Sequence, residues 1–171
     1  MMKIKFSIAK DVSEKDTVIL IANTKSKLSA YMSGGHLDYV KKRIKEDNKK
    51  VFLNLFDRWI FVLAFDEKEE MTDSKMREEA RKAANSFHAH IKGHEIESAT
   101  VVDLIERPDL AVAFAEGLAL SSYKFDKYLT KDKKEKKKKV ELTKIPIKSD
   151  FISEENIGQL QAVAEAVYHT R

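Results

Sequence analysis

The 171-residue sequence predicts an α/β domain, a three-layer αβα arrangement around a mixed sheet. Short apolar segments of strand type alternate along it with longer segments of helical period. One pair of strand segments is joined directly, as a hairpin, and that makes the sheet mixed. No internal repeat and no second core interrupt this order, and the length suits one domain able to bury its own core.

Ile4, Phe6 and Ile8 alternate with Lys5 and Ser7, the pattern of a strand buried on one face. "TVILIA", residues 17–22, is a continuous apolar run, as in a strand covered on both faces. Gly34 and Gly35 form a loop before a helix with Leu37, Val40 and Ile44 in one stripe. "VFLNLF" and "WIFVLAF" flank Asp57-Arg58, the spacing of a two-residue hairpin, although neither residue suits positive φ as glycine does. In the next helix Met76, Ala80, Ala83, Ala84, Phe87 and Ile91 share a face. Thr72 or Asp73 can cap its start, and Gly93 can supply the residue just past its end. "SATVVDLI", residues 98–105, reads as a strand, and Pro108 suits the first turn of a helix running through "DLAVAFAEGLALSSY". "VELTKIPI", residues 140–147, is a further strand, and Pro146 indicates an edge position. Ser153 starts a last helix with Ile157, Leu160, Ala164 and Val167 on one face. The expected organisation is a domain over residues 1–150 and a last helix over 151–171, which either packs on the domain or leads into something beyond it.

Charge is concentrated in one place. Residues 131–139 hold seven lysines, one Asp and one Glu, a net +5, whereas the whole chain is +4. The other 162 residues therefore sum to −1, unlike a nucleic-acid binder that spreads basic charge over a face. Lys131, Lys133, Lys134, Lys136, Lys137, Lys138 and Lys139 lack interleaved aromatics and a glycine cradle, so they read as a solvated loop with weak, nonspecific polyanion affinity. There are no cysteines, which excludes disulfides, thiolate metal sites and thiol nucleophiles. The first residues read as a strand and not as a leader, and no run approaches the ~18 apolar residues of a membrane span. A cytoplasmic location is expected, with no membrane partner.

Glu116 stands among Val112, Ala113, Ala119 and Leu120 on a helix that is apolar nearly all round. It could be a general acid or base, but no histidine or second carboxylate accompanies it, so a paired structural carboxylate is the preferred reading. Gly117 costs about 1 kcal/mol in a helix interior, and close backbone approach is the expected compensation. His88, His90 and His94 are the one dense group of potential metal ligands. His88 and His90 point apart on a helix, and Gly93 is expected to end the helix before His94, so solvated residues of a last turn are preferred to a metal site. The residues by themselves assign no catalytic, cofactor-binding or metal-binding side chain.

"FAEGLALSSYKFDKY" resembles a segment in the N-terminal domain of the leucyl (cytosol) aminopeptidases, the M17 metallopeptidase family. The matching positions are Glu116, Gly117, Tyr123, Phe125, Asp126 and Tyr128. The closing "AVAEAVYHTR" is similar to the helix that in the family leads into an Arg-Asp-Leu-x-Asn-x-Pro sequence, with Arg171 as that arginine. The segment between Lys25 and Lys50 is shorter than the family pattern. The resemblance implies a macro-domain-like, non-catalytic N-terminal domain that serves oligomer assembly and substrate access. It implies a separate catalytic domain that holds two divalent metals, zinc or manganese, and removes N-terminal amino acids from peptides. It also implies a homohexameric whole protein and an inactive isolated chain. Two rivals use the residues differently. A stand-alone macro-like nucleotide module would need Gly34-Gly35 at a strand–helix junction, and a nucleic-acid-binding module would need the lysine run.

Overall fold

The computed structural model describes residues 4–65, 70–123 and 140–170. Its strands are β1 Lys5–Ile8, β2 Val18–Ala22, β3 Lys50–Asn54, β4 Trp59–Ala64, β5 Thr100–Asp103 and β6 Lys144–Lys148. Its α-helices are α1 Gly34–Lys45, α2 Asp73–Gly93, α3 Pro108–Ser121 and α4 Glu154–Thr170. The strands form one sheet in the order β1-β6-β5-β2-β4-β3, with β3 antiparallel to β4 and the other pairs parallel.

Alternation along each strand divides the core. Ile19, Ile21, Phe61, Val101, Ile145 and Ile147 face α2, α3 and α4. Val18, Leu20, Ile60, Val62 and Val102 face α1 and the short 3₁₀ turn Leu28–Ala30. The central β2 is buried at every position because both faces are covered, as its unbroken apolar run indicates.

Pro146 is not at an edge, because β6 lies between β1 and β5. The Lys144 N–H donates to the Glu97 carbonyl on the β5 side, and Pro146, two residues on, faces the same way. Pairing on that side is made at Ser98–Lys144 and resumes at Val101–Ile147, so the missing donor falls in a gap of the ladder. The edge on this side of the sheet is β1, and α4 covers it. The side-chain amide of Gln161 accepts from the Phe6 N–H at 3.2 Å and donates to the Ile4 carbonyl at 3.3 Å, taking the place of a neighbouring strand. Ile157, Leu160 and Ala164 of the same helix join the core.

Two turns differ from the sequence reading. The hairpin turns on Phe56-Asp57, one residue earlier than Asp57-Arg58. The Leu55 N–H donates to the Arg58 carbonyl, and Phe56 takes φ 54°. Arg58 is drawn inward, its guanidinium donating to the carbonyls of Tyr31 at 2.7 Å and Ser13 at 3.3 Å. At the end of α2, Gly93 is still helical and Glu95 holds the left-handed position, φ 55°. The Ile96 N–H closes the turn on the Ile91 carbonyl, and Ile96 packs against the core. A partly buried apolar residue after the cap thus accompanies a stop two residues beyond the glycine expected to make it. At the other end of α2, Thr72 is the N-cap and accepts from the Lys75 N–H.

The first turns of α2 and α3 are tied by charge. The Arg107 guanidinium donates to both Asp109 carboxylate oxygens at 2.9 Å and to Asp73 at 3.0 Å, with Arg77 3.7 Å from Asp109. The hydrogen bonds from Arg107 hold the Asp109 carboxyl below its ordinary range. Its stabilising contribution is therefore complete above the unfolded value of about 3.9 and is lost as pH falls through the lower folded value. Asp109→Asn is expected to cost about 1 kcal/mol in urea unfolding at pH 7. The gap from the wild type should narrow in the same measurement near pH 2, and an unchanged gap would contradict the assignment.

Candidate functional site

Of the residues singled out by sequence, Glu116 and Gly117 lie in the most crowded part of the structure. Leu110, Ala111, Ala113, Phe114, Ala115, Gly117, Leu118 and Ala119 make α3 buried nearly all round. A Cβ on Gly117 would stand 2.6 Å from the Arg81 carbonyl oxygen and 2.8 Å from its Cα. Glycine is needed here because α2 passes with its backbone against α3. The Arg81 side chain then reaches the neighbouring residue, its Nε donating to Glu116 Oε2 at 2.9 Å. Glu116 keeps 19% of its side chain exposed, and Arg81 also lies 3.9 Å from Glu78. The apolar helix therefore carries a carboxylate matched by a guanidinium, with no hydrogen bond to a histidine among the described residues. Glu78 is the nearby acid, and it shares the same arginine.

The histidines are arranged differently from expectation. Because α2 runs through Gly93, the His94 N–H donates to the His90 carbonyl at 3.0 Å and the two rings share one helical face. They are not simply solvated. The His90 ring stacks on Phe52 with centroids 4.0 Å apart, and the His94 ring stacks on Trp59 at 4.1 Å. His90, Phe87 and Phe114 continue an aromatic seam that joins the hairpin to α2 and α3. The i, i+4 spacing of His90 and His94, read against the alternating Phe52 and Trp59, Phe61 of the hairpin, was the available signal. Among the described residues, no group of three or more His, Asp or Glu could hold a metal ion.

The crevice at the carboxyl ends of β2 and β5, where sheet connections part to opposite sides, is a frequent ligand site in open α/β sheets. Here it is bridged by protein groups. Ser26 Oγ donates to the Leu104 carbonyl at 3.3 Å, and the Leu104 N–H donates to Ile21. Asp103 accepts from the N–H groups of Ile105 and Arg107 and from the Ser149 hydroxyl. Gly34 and Gly35 are distant from it. They begin α1, whose other end leads into β3 beside the carboxyl end of β4, so they lie toward the opposite end of the strands. The nucleotide-module rival thus finds no support in the loop it needs.

Tyr123 packs edge-on against Tyr168 of α4, with centroids 4.9 Å apart, and the Tyr168 hydroxyl bonds Ser122 Oγ at 2.8 Å and the Ala119 carbonyl at 3.1 Å. The two segments that carried the family resemblance therefore meet in space. Phe125, Asp126, Tyr128, Arg171 and the seven lysines of 131–139 lie outside the described residues.

With this geometry in hand, the chain can be set beside known proteins. Residues 52–132, just under half of it, match the model of the cytosol aminopeptidase family, N-terminal domain. No curated protein sequence matches the chain. A tomato leucine aminopeptidase mutant shares the fold with a TM-score of 0.60 at 15% identity, over 97% of this chain and 36% of that one. The bottromycin maturation enzyme BotP is similar with a TM-score of 0.54 at 14% identity, over 90% and 31% respectively. The chain spans about a third of the length of these structures, and at such identities the likeness is one of fold. The resemblance to the leucyl aminopeptidase N-terminal domain, first carried by Glu116, Gly117 and Tyr123, holds in both comparisons.

Adding one methyl group at the α2–α3 contact tests its closeness. Gly117→Ala gains about 1 kcal/mol in helix propensity but overpacks a backbone contact, which typically costs 1–3 kcal/mol or more. A net loss of roughly 2 kcal/mol in urea unfolding is expected. A more stable Gly117→Ala variant would show that the helices are not in backbone contact.

Proposed function

We propose that this chain is the non-catalytic N-terminal domain of a metal-dependent aminopeptidase of the leucyl type. The observation that carries the reading is the agreement of two independent comparisons. A family model matches residues 52–132, and the fold of a leucine aminopeptidase covers 97% of the chain. The whole protein removes N-terminal amino acids from peptides, through two divalent metals, zinc or manganese, held by a catalytic domain outside residues 1–171. On this reading residues 1–150 form the domain and 151–171 the helix that leads to the catalytic part, and the domain serves assembly of a homo-oligomer and access of substrate. Glu116 is structural on this reading, since Arg81 occupies its carboxylate and no hydrogen bond among the described residues joins it to a histidine or a second carboxylate. No helix among the described residues is long and apolar enough to cross a membrane, and a cytoplasmic setting is part of the proposal.

The test is hydrolysis of a leucyl anilide with zinc or manganese added. Residues 1–171 alone are expected to be inactive, and the protein carrying its catalytic domain active. Robust metal-dependent hydrolysis by residues 1–171 would overturn the proposal.

A further inference from the structure

The outer side of β3 carries a feature that the packing of the domain leaves without a role. The Leu55 N–H donates to the Arg58 carbonyl and the Ala64 N–H to the Lys49 carbonyl, so the odd-numbered residues of β3 turn their main-chain groups toward β4. Lys50, Phe52 and Asn54 therefore turn theirs outward, and no strand of the sheet lies beyond them. Among the described residues, no main-chain or side-chain group takes up this row. The helices lie above and below the strand. Phe87 of α2 packs against both Phe52 and Phe61, and Val40 of α1 shares the other core with Val51 and Leu53.

Open sheet edges are ordinarily guarded by a proline, a bulge or a projecting lysine. β3 has no proline, and its register with β4 is unbroken from Lys50–Leu63 to Asn54–Trp59. Its lysine is turned aside onto α2, where Lys50 Nζ donates to Ser86 Oγ at 2.9 Å. The row is also complementary to itself. Two copies of β3 set antiparallel about Phe52 place Lys50 beside Asn54, Phe52 beside Phe52 and Asn54 beside Lys50. All of these are outward positions, so each free N–H of one copy meets a carbonyl of the other. No like charges stand opposite each other, and on the α1 face Val51 comes beside Leu53, an apolar pair. The second copy has no competing border at β1, because Gln161 occupies that edge.

We propose that this chain pairs with a second copy through β3, antiparallel and centred on Phe52, so that one sheet runs continuously across a two-fold axis. The contact joins identical surfaces, and the covered β1 borders fall at the outer ends of the joined sheet, so association closes at a dimer. It gives residues to the assembly role proposed above and rests on that part of the reading.

Sedimentation velocity on residues 1–171, from micromolar to millimolar concentration, tests the contact. The wild type is expected to pass from monomer to dimer and no further. Asn54→Pro deletes an outward N–H and no bond to β4, so it should fold and associate at least about tenfold more weakly. Asn54→Lys keeps an exposed polar side chain but sets a cation beside Lys50 of the other copy, and should weaken the dimer about fivefold. Adding Lys50→Glu to that variant sets opposite charges side by side across the axis and should restore wild-type association. Within one copy, residues 50 and 54 are about 13 Å apart along the strand, so the rescue reports pairing between copies in this register. A wild type monomeric throughout, assembly beyond a dimer, an Asn54→Pro variant that dimerises like the wild type, or a double variant as weak as Asn54→Lys would each overturn the proposal. Those outcomes would leave the aminopeptidase assignment, which hydrolysis tests, standing.

Discussion

The contact of Gly117 with the Arg81 main chain sets the spacing of the helical layer. Because α3 lies against the backbone of α2, the Phe87 and Phe114 rings meet edge to face, and Arg81 and Glu116 are brought together beside the contact. The same placement of α2 lays His90 and His94 over the hairpin rings. On its other side α3 receives Tyr168, which fixes the end of α4. A wider separation of the two helices would loosen each of these at once. A glycine that is costly in an isolated helix is therefore the residue on which the three-helix face depends.

Much of this architecture was legible in the sequence, and each success has a physical reason. The unbroken apolar run of β2 marked a strand covered on both sides, and the stripe Ala80, Ala83, Ala84, Phe87, Ile91 marked the buried face of α2. Glu116 was readable as a paired carboxylate because ionised groups on apolar helices need a partner. What could not be read was which cation would arrive, since Arg81 is 35 residues away and comes close only through helix packing. The failures have the same origin. Pro146 indicated an edge because local rules do not foresee that a neighbouring ladder will skip a residue. Gly93 indicated a stop because glycine favours that position, yet the turn closes two residues on, at Glu95, with Ile96 packed against the core. The role of His90 and His94 was missed because stacking depends on where the hairpin lies relative to the helix.

The functional reading has a different basis from the fold. No arrangement of side chains among the described residues assembles a nucleophile, a base and an electrophilic partner, and the crevice where many α/β domains hold ligands is bridged by Ser26, Leu104 and Asp103. The functional reading therefore rests on the family model that matches residues 52–132 and on a likeness of fold to a leucine aminopeptidase. The ion pairs and aromatic contacts described above tie α2, α3 and the hairpin into one packed body.

The amide of Gln161 gives the sheet two unequal borders. On the β1 side the hydrogen-bonding row that an incoming strand would need is already occupied by a side chain of the domain itself, oriented by its bond to Glu165 at 2.8 Å. Lateral growth by strand addition is closed from that direction. The two borders thus differ: β1 is covered by α4, whereas β3 ends the sheet on the hairpin side. A single glutamine thus does for the β1 border what a further strand would do, without extending the sheet.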